Sequence, residues 1–202
     1  RSPTTAYSPI TPTIRAELEA RLSPGALITE PARLEDYAGD ASCLRHLPEL
    51  VVCAHSVADV QTLLTLANLH RFPVTPRGGG SGLAGACLAD RGGVVLSTRG
   101  LDAIRAIDTI NFTMEVEAGA ISLRVREAAA ARGLFYPPDP AGMELSTIGG
   151  NAATDAGGPA CVKYGTTRDY ILGLEAVLPD GSLISTGVRT RRGGAGGDLA
   201  YL

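Results

Sequence analysis

The stretch that most restricts the fold is a glycine-rich run at residues 76–86, Pro-Arg-Gly-Gly-Gly-Ser-Gly-Leu-Ala-Gly-Ala. Glycine loses the most backbone entropy on ordering, so this run predicts a loop and not a helix interior or a packed strand. Such a loop can expose successive backbone N–H groups to an anion. Arg77 adds a positive charge there and Ser81 a hydroxyl. The pattern fits a phosphate-binding loop, and it fits a plain surface loop equally well.

Two familiar phosphate motifs match poorly. The letters Gly80-x-Gly82-x-x-Gly85 satisfy the dinucleotide-binding fingerprint, but that fingerprint needs a long helix directly afterwards. Gly92 and Gly93 interrupt any helix at that point. A P-loop needs a lysine and a hydroxyl residue after its last glycine, whereas Ala86 and Cys87 follow here.

Hydrophobic spacing and capping residues predict the elements around this loop. The first half is expected to contain helices at 12–22, 31–37 and 56–70, and strands at 50–54, 73–76 and 93–97. The strand–helix–strand order over 50–76 predicts that these two strands are parallel. The second half is expected to contain an antiparallel pair (103–108 and 113–117), a helix (121–132), a rigid proline loop (136–140) and a hairpin (171–178 and 183–186).

A second glycine-rich segment spans residues 147–158 and includes Gly149-Gly150 and Gly157-Gly158. Each pair fits a plain turn or a place where a flat ligand approaches the backbone. Two such clusters with a proline-stiffened loop between them favour a binding role.

Composition excludes several function classes. Eighteen Lys and Arg against 21 Asp and Glu, with 4% aromatic residues, argue against a nucleic-acid partner. Arg189, Arg191 and Arg192 are predicted to form a solvated tail. No apolar run reaches the ~20 residues that span a bilayer, and no signal peptide is visible. The four cysteines lack metal-ligand spacing and are predicted to be buried free thiols, which indicates a cytoplasmic protein.

Taken in order, these motifs resemble one family. The segments are 76–85, Pro137-Pro138-Asp139-Pro140, 147–151, 156–158 and 163–174. Together they are similar to the FAD-binding fold shared by vanillyl-alcohol oxidase and p-cresol methylhydroxylase. Within that superfamily they most resemble the branch of the glycolate oxidase D-subunit and D-lactate dehydrogenase. The resemblance covers about residues 30 to 202.

The resemblance implies an α+β, two-lobed FAD-binding domain of the p-cresol methylhydroxylase type (PCMH-type). Residues 1–29 would be a lead-in with a helix. Residues 30–100 would form a small lobe with parallel strands and the pyrophosphate loop. Residues 101–202 would form a larger, mainly antiparallel lobe flanked by helices and incomplete at its C-terminus.

The resemblance also implies which residues contact FAD. In the first lobe they are Pro76, Arg77, Gly78, Gly79, Gly80, Ser81, Gly82 and Leu83. In the second they are Pro138, Asp139, Thr147, Ile148, Gly149, Gly150, Asn151, Thr154, Gly157, Gly158, Gly165 and Ile171. Some relatives with covalently attached flavin have His where this chain has Ser81, so non-covalent FAD is expected.

The implied reaction is oxidation of a 2-hydroxy acid, of the glycolate or D-lactate type, to a 2-oxo acid. An iron–sulfur subunit or fused domain is implied as electron acceptor, with peripheral membrane attachment through it. The substrate domain, with the metal-binding histidines and catalytic base, is expected beyond Leu202, so no metal site and no turnover are expected here. The alternatives are a non-catalytic assembly subunit of the same fold, or another oxidase of the superfamily.

Overall fold

The computed structural model describes residues 7–187, and these residues divide into two compact units. One unit comprises residues 7–100 together with Pro179–Ser182, and the other comprises Leu101–Leu178 together with 183–187. The predicted arginine tail at 189–192 lies outside the described residues, as do the first six residues.

The first unit is built on a four-stranded sheet. Its strands are β1 (Leu27–Ile28), β2 (Leu50–Cys53), β3 (Val74–Arg77) and β4 (Val94–Ser97), in the spatial order β1-β2-β4-β3. β1 is antiparallel to β2, whereas β4 is parallel to both of its neighbours. The parallel direction predicted for β2 and β3 is confirmed, although β4 lies between them. Val51 and Val95 pair directly and are fully buried, which places the apolar core on this sheet.

Three helices accompany this sheet. They are α1 (Pro12–Arg21), α2 (Pro31–Leu34, continued by a 3₁₀ turn at Glu35–Tyr37) and α3 (Val57–His70). The N-cap predicted at Ser56 is confirmed, since its side chain accepts from the N–H of Asp59 while the Asp59 carboxylate accepts from the N–H of Ser56. Reciprocal capping of this kind satisfies donors that a helix start leaves unpaired.

The second unit contains two antiparallel hairpins and short helices. β5 (Ile104–Asp108) pairs with β6 (Thr113–Val116), and β7 (Gly173–Val177) pairs with β8 (Leu183–Gly187). Between them lie α4 (Ser122–Ala130), α5 (Ile148–Thr154), α6 (Cys161–Tyr164) and a 3₁₀ turn at Thr167–Tyr170. Both predicted hairpins, the helix and the irregular proline loop at 136–140 are confirmed. The mixed α+β class is confirmed as well.

Two expectations fail. Gly149-Gly150 does not form a plain turn, because both glycines lie inside α5, whose start is capped by Thr147. The four cysteines are free, as predicted, but Cys43 is exposed and the other three are half-buried. Cys43 has a positive φ of 66° and lies outside the helices and strands, so it is not part of a core element.

Candidate functional site

The first candidate cluster is the glycine loop that follows β3. Within residues 7–187, the backbone N–H groups of 78–82 donate to no protein acceptor. Gly80 has a φ of +72°, a conformation that L side chains rarely adopt. A polar backbone group needs a partner when water is excluded, so these donors are available to an anion. The loop therefore has five consecutive backbone donors, at residues 78–82, without a protein acceptor among the described residues.

The guanidinium of Arg77 is hydrogen-bonded to residues outside the glycine loop. Its Nη2 donates to the carbonyl of Gly39 at 2.7 Å, and its Nη1 donates to Sγ of Cys87 at 3.3 Å. The guanidinium carbon lies 5.8 Å from the centre of the Tyr37 ring, and only 8% of Arg77 is exposed. Arg77 was predicted to contact FAD, and in the structure its side chain instead joins the loop to residues 36–40.

Residues 36–44 form the base on which this loop lies. The N–H of Ala41 donates to the carbonyl of Gly82 at 3.1 Å. Burial raises the pKa of Asp40, but hydrogen bonds from the Ser42 hydroxyl and N–H outweigh this effect, so its pKa lies below the usual value. Burial raises the pKa of the neighbouring Cys87 thiol, which keeps it protonated. At neutral pH, Asp40 is therefore charged and the Cys87 thiol is protonated. In these states both side chains are suited to holding the glycine loop in place.

The second cluster begins where the proline loop meets the second glycine pair. Gly158 has a φ of +132°, and a Cβ there would overlap the carbonyl oxygen of Asp139. The Asp139 carboxylate accepts from the N–H of Ala160 at 3.3 Å. Pro138 and Gly157, which were predicted from the same two segments, are adjacent to this contact in the chain. Only glycine at 158 permits so close an approach between the two segments.

The start of α5 packs against the turn between β6 and α4. A Cβ at Gly149 would lie 2.7 Å from Cβ of Ala118, while the Thr147 side chain accepts from the N–H of Gly150 at 3.2 Å. The buried Asn151 side chain donates to Oγ of Ser122 at 2.7 Å. These side chains were predicted to contact the flavin, and the structure uses them to fix α5 in place.

Two of the remaining predicted residues, Gly165 and Ile171, flank the Thr167–Tyr170 turn, and Thr154 lies at the end of α5. Gly165 has a φ of +87°, and Ile171 ends the turn by donating its N–H to the carbonyl of Arg168 at 3.3 Å. Thr154 is exposed and donates to the carbonyl of Gly150 at 2.9 Å. Each of the two units therefore contains one cluster of the predicted residues.

Sequence reasoning missed three buried polar residues that support the second cluster. Ser122 lies 2.8 Å from Ser146 between their hydroxyl oxygens, and the fully buried Thr167 donates to the carbonyl of Ala156 at 2.7 Å. A capping box from Thr166 to Asp169 is readable in the sequence and marks the turn that contains Thr167. Ser122 and Ser146 are 24 residues apart and carry no local signal.

Few groups in the second cluster can exchange protons. Burial raises the pKa of Tyr136 to about 12, so its hydroxyl stays protonated at neutral pH. His46, His55 and His70 belong to the first unit. Across the described range 7–187, no group of His, Cys, Asp and Glu is arranged to hold a metal ion. No helix among the same residues has the length and apolarity to cross a membrane.

Comparison with known proteins identifies the family. The model of a family described as FAD binding domain matches residues 48–187. The chain is 42% identical to glycolate oxidase subunit GlcD of Bacillus subtilis over 82% of its own length and 36% of that protein's. It is 33% identical to a D-lactate dehydrogenase of Anaerostipes hadrus over 97% of its length and 41% of that protein's. The chain thus spans about two fifths of the length of these relatives.

Solved structures show the same fold at lower identity. An alkyldihydroxyacetonephosphate synthase matches with a TM-score of 0.80 at 24% identity, over 97% of this chain and 38% of that one. A p-cresol methylhydroxylase matches with a TM-score of 0.77 at 24% identity, over 93% of this chain and 39% of that one. These matches confirm the PCMH-type fold that the ordered motifs predicted.

Proposed function

Because the chain belongs to the FAD-binding domain family, we propose that it is the flavin-binding part of an enzyme that oxidises a 2-hydroxy acid to a 2-oxo acid. The observation that carries the substrate class is the similarity to GlcD and to D-lactate dehydrogenase, which are named for two 2-hydroxy acids. FAD is the cofactor that the family match indicates. Non-covalent attachment is part of the proposal, since position 81 is a serine.

The residues of the first cluster fit a pyrophosphate. Their donors are neutral backbone N–H groups, and a Cβ at Gly82 would meet open space, so a ligand can approach there. The buried Arg77 leaves the outer surface of the loop open. A surface of neutral backbone donors is a chemical match for a polyanion.

The division of the chain follows from the same proposal. Residues 30–100, after the lead-in at 1–29, would bind the pyrophosphate through residues 76–83. Residues 101–202 would bind the ribityl and flavin part through the second cluster, which includes Pro138, Asp139 and Ile148.

When bound, FAD supplies the hydride acceptor for oxidation of the substrate carbon. A separate group must take the hydroxyl proton. The Tyr136 hydroxyl stays protonated at neutral pH, so it is not assigned that role. We assign this chain the binding and orientation of the cofactor. We also propose an iron–sulfur electron acceptor, in a cytoplasmic protein that reaches the membrane through this partner.

Reconstitution with FAD tests the proposal. The purified 202-residue chain is mixed with FAD, desalted and examined for visible flavin absorbance, with FMN as the comparison ligand. We expect FAD to be retained and then released into solution when the protein is denatured. Flavin that stays with the denatured chain would contradict non-covalent binding. A chain that retains no FAD would favour the alternative, a non-catalytic assembly subunit of the same fold.

A pair of isosteric variants tests the pyrophosphate loop. Gly82→Asp places a carboxylate beside the loop donors, and Gly82→Asn places a neutral side chain of the same shape there. We expect Gly82→Asp to bind FAD at least tenfold more weakly than Gly82→Asn, because the added charge repels the pyrophosphate. Equal affinities would show that the phosphates bind elsewhere. Reduction of an artificial dye with D-lactate, compared with L-lactate, measures any turnover by the chain.

A further inference from the structure

The packing of Arg77 against its own loop carries a further inference. A Cβ at Gly80 would overlap the Arg77 guanidinium, whereas a Cβ at Gly82 would meet nothing within 4 Å. The loop backbone at Gly80 therefore rests directly on the guanidinium. Its positive φ of +72° is the conformation that allows this contact.

Hydrogen bonds fix the position of the same guanidinium. The Gly39 carbonyl and Cys87 Sγ accept from two different nitrogens, at 2.7 Å and 3.3 Å, and the carbonyl of Asp36 lies 3.5 Å from Nη2. A planar guanidinium can satisfy these acceptors together because its donors form a rigid fork, which a lysine ammonium lacks. The acceptors come from residues 36–39 and 87, on either side of the loop in sequence.

The loop surface that faces outward depends on this arrangement. The N–H groups of residues 78–82 find no acceptor among the described residues, so their directions are set by the backbone alone. Three contacts hold that backbone. They are the packing of Gly80 on Arg77, the hydrogen bond that the Gly82 carbonyl accepts from the N–H of Ala41, and the pairing of β3 with β4. Arg77 is the one of these supports that lies beneath Gly80.

We propose that Arg77 is a positioning residue, whose guanidinium holds the backbone of residues 78–82 in the conformation that receives an anion, and which does not itself contact the phosphates. The inference rests on the proposed function of this loop as a pyrophosphate site. It changes the role first predicted for Arg77, from a phosphate ligand to a support for the ligands.

Two substitutions of Arg77 separate the roles. Arg77→Lys keeps the charge but loses the fork, and Arg77→Gln loses both. We expect both variants to bind FAD at least tenfold more weakly than the unmodified chain, by similar factors. A residue that contacts phosphate through its charge would retain most of its affinity as lysine and lose it as glutamine. That pattern, or unchanged affinity in both variants, would overturn the proposal.

Cys87 gives a test that does not alter Arg77. Cys87→Ala removes one acceptor of the guanidinium, and Cys87→Ser keeps an acceptor there. We expect Cys87→Ala to weaken FAD binding about threefold and Cys87→Ser to restore it. Combined with Arg77→Lys, Cys87→Ala should have no additional effect, because residues that act as one unit are not additive. Additive losses would contradict the proposal, and the cysteine variants remain informative if the Arg77 variants do not fold.

The ligand-free chain distinguishes failure of this inference from failure of the proposed function. With ¹⁵N-labelled glycine, we expect the amide resonances of Gly78, Gly79 and Gly80 to shift and broaden in Arg77→Lys. Gly133 and Gly181 serve as references. If the unmodified chain binds no FAD but these resonances change, the loop support stands and the cofactor assignment fails. If FAD binds and the resonances and affinity of Arg77→Lys are unchanged, the inference fails alone.

Discussion

Asn151 illustrates how a buried polar side chain holds a helix in place through hydrogen bonds to distant residues. Its amide donates to Ser122, whose hydroxyl also lies 2.8 Å from that of Ser146, and all three residues are buried. Replacing Asn151 with Ala leaves buried hydroxyls short of a partner. We expect Asn151→Ala to lower the free energy of unfolding by about 1–3 kcal/mol, measured by urea denaturation.

Thr154→Ala is the matched control on the same helix. The Thr154 hydroxyl donates to the carbonyl of Gly150 from an exposed position. Its removal should change the free energy of unfolding by no more than about 0.5 kcal/mol. If Asn151→Ala and Thr154→Ala have equal effects, the buried network does not stabilise the second unit.

Asp59 makes stability depend on pH. Burial raises its pKa, but hydrogen bonds from the N–H groups of Ser23 and His55 outweigh burial and leave the pKa below its usual value. A lowered pKa in the folded state stabilises the fold above the unfolded pKa of about 4, and this contribution is lost as the pH falls through the folded value. Asp59→Asn should therefore cost about 1–3 kcal/mol at neutral pH and less in acid.

Urea midpoints measured across the acid range test this expectation. Glu19→Gln, on an exposed position of α1, controls for the loss of one negative charge and should change stability by no more than about 0.5 kcal/mol. A penalty in Asp59→Asn that stays constant into strong acid would contradict the assigned role of the carboxylate.

The turn of the β5–β6 hairpin contains a residue in a backbone conformation that is unfavourable for its type. Phe112 has a φ of +55° and is 77% exposed, so it has the strain of a left-handed conformation with little burial to offset it. Phe112→Gly should raise the free energy of unfolding by about 0.5–1 kcal/mol. The control is Ile110→Gly, at an exposed position where φ is not positive, and it should give no gain. Thermal unfolding of both variants distinguishes the outcomes, and a loss in Phe112→Gly would mean that the ring is needed.

Capping and spacing explain which elements could be predicted from the sequence. Ser56 with Asp59, and Thr11 with Pro12, determine helix starts through contacts within four residues, so they are readable. α5 was missed because its glycines have low helix propensity. Gly149 is nevertheless required there, since any Cβ would meet Ala118, about thirty residues earlier in the chain. Such a contact has no local signal.

The same limit applies to the chain as a whole. The ordered motifs were sufficient to predict the family and the segments that form each cluster. Long-range packing determines the position of β4 between β2 and β3 and the inward direction of Arg77. No sequence motif encodes this packing. The sequence was thus sufficient to predict which segments form the candidate site. It was not sufficient to predict the contacts that each side chain makes there.

Pro179–Ser182 belong to the first unit, although the residues before and after them belong to the second. The last prediction concerns this segment. Nε2 of Gln61 donates to the carbonyl of Gly181 at 2.9 Å across 120 residues, and Nδ2 of Asn68 donates to the carbonyl of Pro179 at 2.5 Å. Replacing both α3 side chains with alanine should lower stability by about 1–3 kcal/mol, since each bond contributes about 0.5–1.5 kcal/mol. Amide exchange at residues 180–183 should accelerate relative to the β5–β6 hairpin.

Leu69→Ala is the control for this double variant. Leu69 is on the same helix and 67% exposed, so its truncation should change stability by no more than about 0.5 kcal/mol and leave exchange at residues 180–183 unaltered. Closing so long a segment costs chain entropy, which the two side-chain bonds and the close fit of Gly181 against Thr65 must offset. If amide exchange at residues 180–183 is no faster in the double variant than in Leu69→Ala, the packing at Gly181 alone holds this segment in place. Gly181→Ala should then accelerate amide exchange there.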